Sequence, residues 1–183
     1  MAVITVNISN KKAIEQNNKE FVLEAGTHFA VSSKEAVERF VPYLDEKEVV
    51  DLGCGDGAAT EYFHEHNIKV IGVDTNPKKL KLNPTETVCE DMITYLESQP
   101  FYSIPNIFCH HALEHLPNPQ KVLDLISTKL KIGGYIYIEV PANDELHSVH
   151  YATFDSQEDI VPPGLELVES CTTDAHYIIA RKP

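Results

Sequence analysis

The chain has 183 residues, 43% of them hydrophobic, which suits one domain (1–183) with a sizeable core. Its 28 acidic residues against 15 basic ones leave a net charge of −13; this disfavours nucleic acid as a partner, because phosphate contacts supply most non-specific affinity there. No apolar run approaches the roughly 18 residues of a membrane span, and Met1–Ile8 lacks the basic stretch of a signal peptide.

Ala2–Ile8 alternates apolar and polar residues and reads as a short strand or extended arm. It would pair with a sheet edge or with a partner subunit, which leaves a homodimer open. Residues 33–44 carry Ala36, Val37, Phe40, Val41 and Leu44 at helical spacing, with Ser32 or Ser33 as N-cap and Glu35 in the first turn. A strand is expected at 48–52, a helix at 57–66 and a strand at 69–73, with a short turn opened by Pro77. A strand at 87–90, a helix at 91–98, a strand at 105–109, a helix at 118–130 and a strand at 134–140 follow. Alternating strand and helix means a parallel sheet with helices on both faces. Leu165–Glu169 and His176–Arg181 read as a closing strand pair. Only Ala142–Gly164 separates that pair from the strand before it, too little for a cap domain. Residues 1–45, around Gly26-Thr27-His28-Phe29, are therefore expected to close the site.

The most informative stretch is Val49-Val50-Asp51-Leu52-Gly53-Cys54-Gly55-Asp56-Gly57. A strand that breaks into glycines and opens a helix lets backbone approach a ligand closely. The pattern D-x-G-x-G-x-G is one residue tighter than the dinucleotide fingerprint G-x-G-x-x-G. An acid at that mouth repels phosphate and attracts a cation, so the turn favours a positively charged nucleoside ligand over NAD.

This stretch resembles motif I of the class I S-adenosylmethionine-dependent methyltransferases. Val70-Ile71-Gly72-Val73-Asp74 is similar to the family's second strand, whose terminal acid bonds the ribose hydroxyls. Val88-Cys89-Glu90-Asp91-Met92 resembles the third signature, with an Asp reaching the adenine amino group. Cys109-His110-His111-Ala112-Leu113-Glu114-His115-Leu116-Pro117 resembles the exit of strand four, and Leu130–Pro141 the glycine turn into strand five. Pro105 stands where the family commonly begins strand four with Asp. The resemblance implies a Rossmann-like, doubly wound, seven-stranded, mostly parallel sheet with a C-terminal antiparallel strand pair. It implies S-adenosyl-L-methionine as cofactor, S-adenosyl-L-homocysteine as product, and methyl transfer to an oxygen or nitrogen of a small molecule. The alternative is a cofactor-binding but inactive partner subunit of a heteromer.

The resemblance assigns the cofactor to Asp51, Gly53, Cys54, Gly55, Gly57, Asp74, Thr75, Asp91, Met92 and His110. Several carry a plainer reading beside it. Asp51 could fix the glycine turn, the glycines could make an ordinary tight strand–helix turn, Asp74 could be an N-cap or make an Asx-turn before Pro77, Asp91 could cap the next helix, and Met92 could be core. His111 and His150 are the candidates for facing the methyl group and its acceptor, which is expected to be neutral or cationic.

His111-Ala112-Leu113-Glu114-His115 also spells H-x-x-E-H, a zinc-peptidase string that needs a continuous helix. Pro117 and Pro119 follow at once, and Cys54, Cys89, Cys109 and Cys171 form no C-x-x-C pair. No metal is therefore expected, although His110, His111, His147 and His150 could cluster around a divalent ion. The cysteines read as the reduced thiols of a cytoplasmic protein.

Overall fold

A computed structural model describes residues 4–6, 28–142 and 150–183. Seven strands form one sheet in the order β4-β3-β2-β5-β6-β9-β8. They are β2 (Glu48–Leu52), β3 (Lys69–Asp74), β4 (Glu86–Cys89), β5 (Ile104–His110), β6 (Leu130–Pro141), β8 (Glu166–Thr172) and β9 (Ala175–Arg181). The strands from β4 to β6 run parallel, and β9 and β8 close the sheet antiparallel. The doubly wound reading of the sequence holds.

Side chains on a strand point alternately to the two faces, and both faces of the central strands β2, β5 and β6 are buried. Val50, Ile107, Ile136, Ile138 and Ile178 join α4 (Met92–Ser98) and α5 (Pro119–Lys129) in one core. Their neighbours Val49, Phe108, Tyr137 and Ile179 join α1 (His28–Phe40) and α2 (Ala58–Glu65) in the other. The second core is aromatic, with Phe63 edge-on to Phe108 at 5.1 Å and Phe40 at 6.1 Å from the same ring.

Two boundaries differ from expectation. Helix α1 begins at His28 rather than near Ser33, so Ser32 and Ser33 are helical residues and not its cap. Ser33 is buried because the helix axis carries it onto the sheet. Strand β6 starts at Leu130, four residues early. The register against β5 shifts between Ile104 and Asn106, and Pro105, which has no N–H to give a ladder, sits in that irregularity. Asn106 repairs it: its side chain donates to the carbonyls of Glu46 and Glu48 and accepts from the Tyr135 N–H. The N-terminal strand β1 (Ile4–Val6) pairs with neither edge of the large sheet. It pairs antiparallel with β7 (Ala152–Phe154), a short strand in the segment after β6. Among the described residues no helix is long and apolar enough to cross a membrane.

Candidate active site

In an open α/β sheet, ligands bind where the strand order reverses, outside the carboxyl ends of the strands. Here that point lies between β2, which leads away to β3 and β4, and β5 on its other side. A cleft of about 540 Å³ opens there. Asp51, Gly53, Cys54, Gly55, Asp74, Thr75, Asp91, Met92 and His110 line it, as does His111. Gly57 and His150 are not among the lining residues.

The glycine turn is built by its backbone. Gly53, Gly55 and Gly57 have φ of 82°, 55° and 91°, the left-handed region that costs other residues most. The N–H groups of Gly53 and Cys54 both donate to the Val73 carbonyl at 2.8 and 3.2 Å, which ties the turn to β3. Gly57 is the N-cap of α2; its place is structural, with Asn83 filling the space where a Cβ would stand. Asp74 holds the turn from the other side. One carboxylate oxygen accepts from the Gly55 N–H at 3.0 Å and the other from the Asn76 N–H at 2.7 Å. Asn76, not Asp74, caps the turn α3 (Pro77–Leu80), accepting from Lys78 and Lys79. Asp91 does cap α4, with one oxygen accepting from Ile93 and Thr94.

The cleft is acidic: Asp51, Asp56, Asp74, Glu90 and Asp91 face it, with Lys79 as the one lysine among the lining residues. Asp51 is buried at 3% exposure. Burial, and then the charge of Asp74, push its pKa up to about 7.

A second group of charges stands at the ends of β5 and β6, where register places His110 opposite Glu139. His111, with φ 49°, leaves the strand and donates its backbone N–H to the Glu139 carbonyl at 2.9 Å. Its two ring nitrogens reach different carboxylates, Nδ1 to Glu114 at 3.3 Å and Nε2 to Glu139 at 3.4 Å. Burial alone would lower the His111 pKa, but the two carboxylates outweigh it and raise it to about 10. Glu139 is pulled well below the ordinary range by both imidazoles against its own burial. Its other oxygen accepts from the Tyr137 hydroxyl and lies 3.7 Å from Arg39 of α1. Burial lowers the pKa of His110, so that ring is neutral.

His111 and His115 do not share a helix, since only Leu113–His115 forms a 3-10 turn. The H-x-x-E-H string is thus not the peptidase arrangement. His115 lines the cleft, and the His150 ring meets it edge-on with centroids 4.9 Å apart. His110 and His111 fall in one group and His150 in another; His147 lies outside the described residues, as do Gly26 and Thr27. Of His28 and Phe29 only the helical backbone is described. Ser33 of α1 lines the cleft, a contribution from the first 45 residues.

Glu114, Glu139 and Arg39 are the functional neighbours that reading the sequence missed. The available signal was a glutamate inside a strand otherwise apolar on both faces, Ile138-Glu139-Val140. An acid there requires a partner.

The model of a family described as a methyltransferase domain matches residues 25–164. Among curated proteins, a ubiquinone biosynthesis O-methyltransferase of Nitrosomonas europaea is 29% identical over 111 residues, 55% of this chain and 46% of that protein. The chain thus spans about half the length of the curated relatives it matches. A structure of an S-adenosylmethionine-dependent methyltransferase from Archaeoglobus fulgidus superposes with a TM-score of 0.70 at 24% identity, over 84% of this chain and 94% of the other. A Burkholderia thailandensis 1,6-didemethyltoxoflavin-N1-methyltransferase, solved with its acceptor and S-adenosylhomocysteine, gives 0.67 at 20% identity over 94% and 84%.

Proposed function

Since the chain belongs to the methyltransferase-domain family, we propose that it moves the methyl group of S-adenosylmethionine to an oxygen or nitrogen of a small neutral or cationic molecule. The observation that carries this reading is the acidic cleft built on the glycine turn at the strand switch point. A sulfonium is already a good electrophile. The protein needs chiefly to align the acceptor lone pair with the S–CH₃ bond and keep water out. A base is required only where the acceptor proton is tightly held.

In this reading Asp51 meets the cationic end of the methionine moiety, Asp74 takes the ribose hydroxyls and Asp91 the adenine amino group. Each Asp74 oxygen has a second lone pair beyond its backbone bond, and one Asp91 oxygen is free of the capping bonds. Cys54, Thr75 and Met92 complete the wall. Phe108, His110 and His111 stand on the acceptor side. His111 is held there with each ring nitrogen facing a carboxylate, so it orients rather than takes protons. His150 backs His115 at the same rim. The four free cysteines fit a reducing, cytoplasmic setting.

Calorimetry with S-adenosylhomocysteine and with NAD tests the cofactor. Binding of NAD alone would end the proposal. Methyl transfer from labelled cofactor across a panel of hydroxyl and amine acceptors tests the activity. Cofactor binding without turnover on any of them would leave the inactive partner subunit of a heteromer as the reading.

Asp51 adds a proton signature. Its folded pKa of about 7 lies above the ordinary 3.8, so its protonated form is the one burial favours. Its contribution to stability is complete below the ordinary value and is lost as pH rises through 7. A cation beside it favours the carboxylate. Cofactor binding at pH 6 should therefore release close to one proton, and at pH 8.5 almost none, with affinity rising between. Calorimetry in buffers of different ionisation enthalpy reads this directly. Proton release that is unchanged in Asp51→Asn would move the effect to another group.

A further inference from the structure

We propose that His110, His111 and Glu139 form a binding site for a divalent first-row transition metal at the cleft wall. Each of the three offers one ligand atom, and these atoms lie within 4.8 Å of one another. The two histidine nitrogens stand 3.6 and 3.4 Å from the shared carboxylate oxygen. Ligands about 2.0–2.1 Å from a tetrahedral zinc are spaced roughly 3.3 Å apart, so two of the three edges already have that length.

The surroundings are those of a metal site rather than of a plain ion pair. His110 Nε2 is buried with no hydrogen-bond partner, in a side chain only 7% exposed. At 3.6 Å its distance to Glu139 is too long for such a bond. A buried imidazole nitrogen without a partner costs free energy unless something accepts its lone pair or its proton. The outer partners are also in place. His111 turns its Nδ1 to the buried Glu114 carboxylate, the arrangement by which a ligating histidine is oriented and made more basic. Tyr137 and Arg39 hold Glu139 Oε2, which turns Oε1 toward the two rings. Three ligands, two in adjacent strands and one just past a strand end, leave coordination positions open. Because His110 and His111 line the cleft, water or an oxygen of a cleft ligand can fill them.

Two imidazoles and one carboxylate favour zinc, iron(II), cobalt(II) or manganese(II) over magnesium or calcium. A metal at His111 Nε2 would stand where the hydrogen facing Glu139 stands now. The site does not depend on methyl transfer and can be tested without it.

The experiment is titration of the purified, untagged, chelator-stripped chain with zinc and with cobalt(II). One equivalent should bind. Cobalt should give a visible d–d band, and X-ray absorption of the zinc form should show nitrogen and oxygen neighbours with no sulfur. His110→Ala should weaken binding at least about tenfold and abolish the band, with Glu114→Gln weakening it less. His150→Ala should change it less than about threefold, which separates this site from the neighbouring group of Glu114, His115 and His150. Should His110→Ala fail to fold by circular dichroism, His110→Gln replaces it, and the X-ray absorption of the wild type stands independently. Absence of stoichiometric metal, sulfur in the zinc shell, or loss on His150→Ala with retention on the His110 variants would overturn the proposal.

Discussion

Asp74→Ala should weaken S-adenosylhomocysteine binding at least about a hundredfold while the chain stays folded. The carboxylate has two duties. It accepts from the Gly55 and Asn76 N–H groups, which shapes the turn, and in the proposed complex it also accepts from the ribose. Charge-assisted hydrogen bonds are worth about 1.5–3 kcal/mol each, and a truncated partner leaves donors unsatisfied. Two lost ribose bonds alone give about 3–6 kcal/mol, or two to four decades of affinity. Asp74→Asn should fall between, since a single amide oxygen cannot serve both backbone donors. Calorimetry gives the affinity and a thermal melt gives the fold. A lowered melting temperature with unchanged affinity would reduce Asp74 to a tether of the glycine turn.

The parallel sheet and its glycine turn were legible because their signals are local. Val49–Gly57 carries a strand, an acid before the glycines and three left-handed positions in nine residues; Asp74 ends a strand and Asp91 caps the helix that follows the next one. The start of α1 was not legible. Ser32 and Ser33 have the chemistry of caps, but tertiary packing continues the helix through them. The extended β6 was hidden for a similar reason: Lys131, Ile132, Gly133 and Gly134 read as a turn, and they join the strand only because Leu130 and Tyr135 on either side pair with Ile104 and Asn106 across the Pro105 irregularity. The pairing of β1 with β7 joins segments about 150 residues apart and has no local signature.

The acceptor side was the least legible. His110, His111 and His115 stand out in the sequence, and each is where expected relative to β5. What they do depends on acids that meet them only after folding. Glu139 comes from the adjacent strand, opposite His110 by register, and Arg39 comes from α1 on the far side of Tyr137. An imidazole alone suggests a base near neutral pH. Between two buried carboxylates the same ring is a cation to about pH 10, and spacing along the chain cannot reveal that.

Alanine at Gly53 and alanine at Gly55 should fail in opposite ways, although the two residues are neighbours in one motif. A Cβ on Gly53 would lie 2.5 Å from the Ala112 Cβ, an atom fixed by the exit of β5. With φ at 82° the backbone adds its own strain. Overpacking costs about 1–3 kcal/mol and the left-handed backbone about 1–2 kcal/mol more, so Gly53→Ala should melt about 5–15 °C lower than the parent. A Cβ on Gly55 meets only the flexible end of Lys79, at 3.7 Å. Its φ of 55° is the left-handed region proper, a penalty of about 1–2 kcal/mol, and the melting temperature should fall by only a few degrees. The methyl group would instead enter the cleft that Gly55 lines, where the proposed cofactor needs bare backbone. Gly55→Ala should therefore lose S-adenosylhomocysteine affinity at least about tenfold in a chain that is otherwise intact. Normal binding by Gly55→Ala, or a melt as low as that of Gly53→Ala, would mean that this glycine serves the turn and not the ligand.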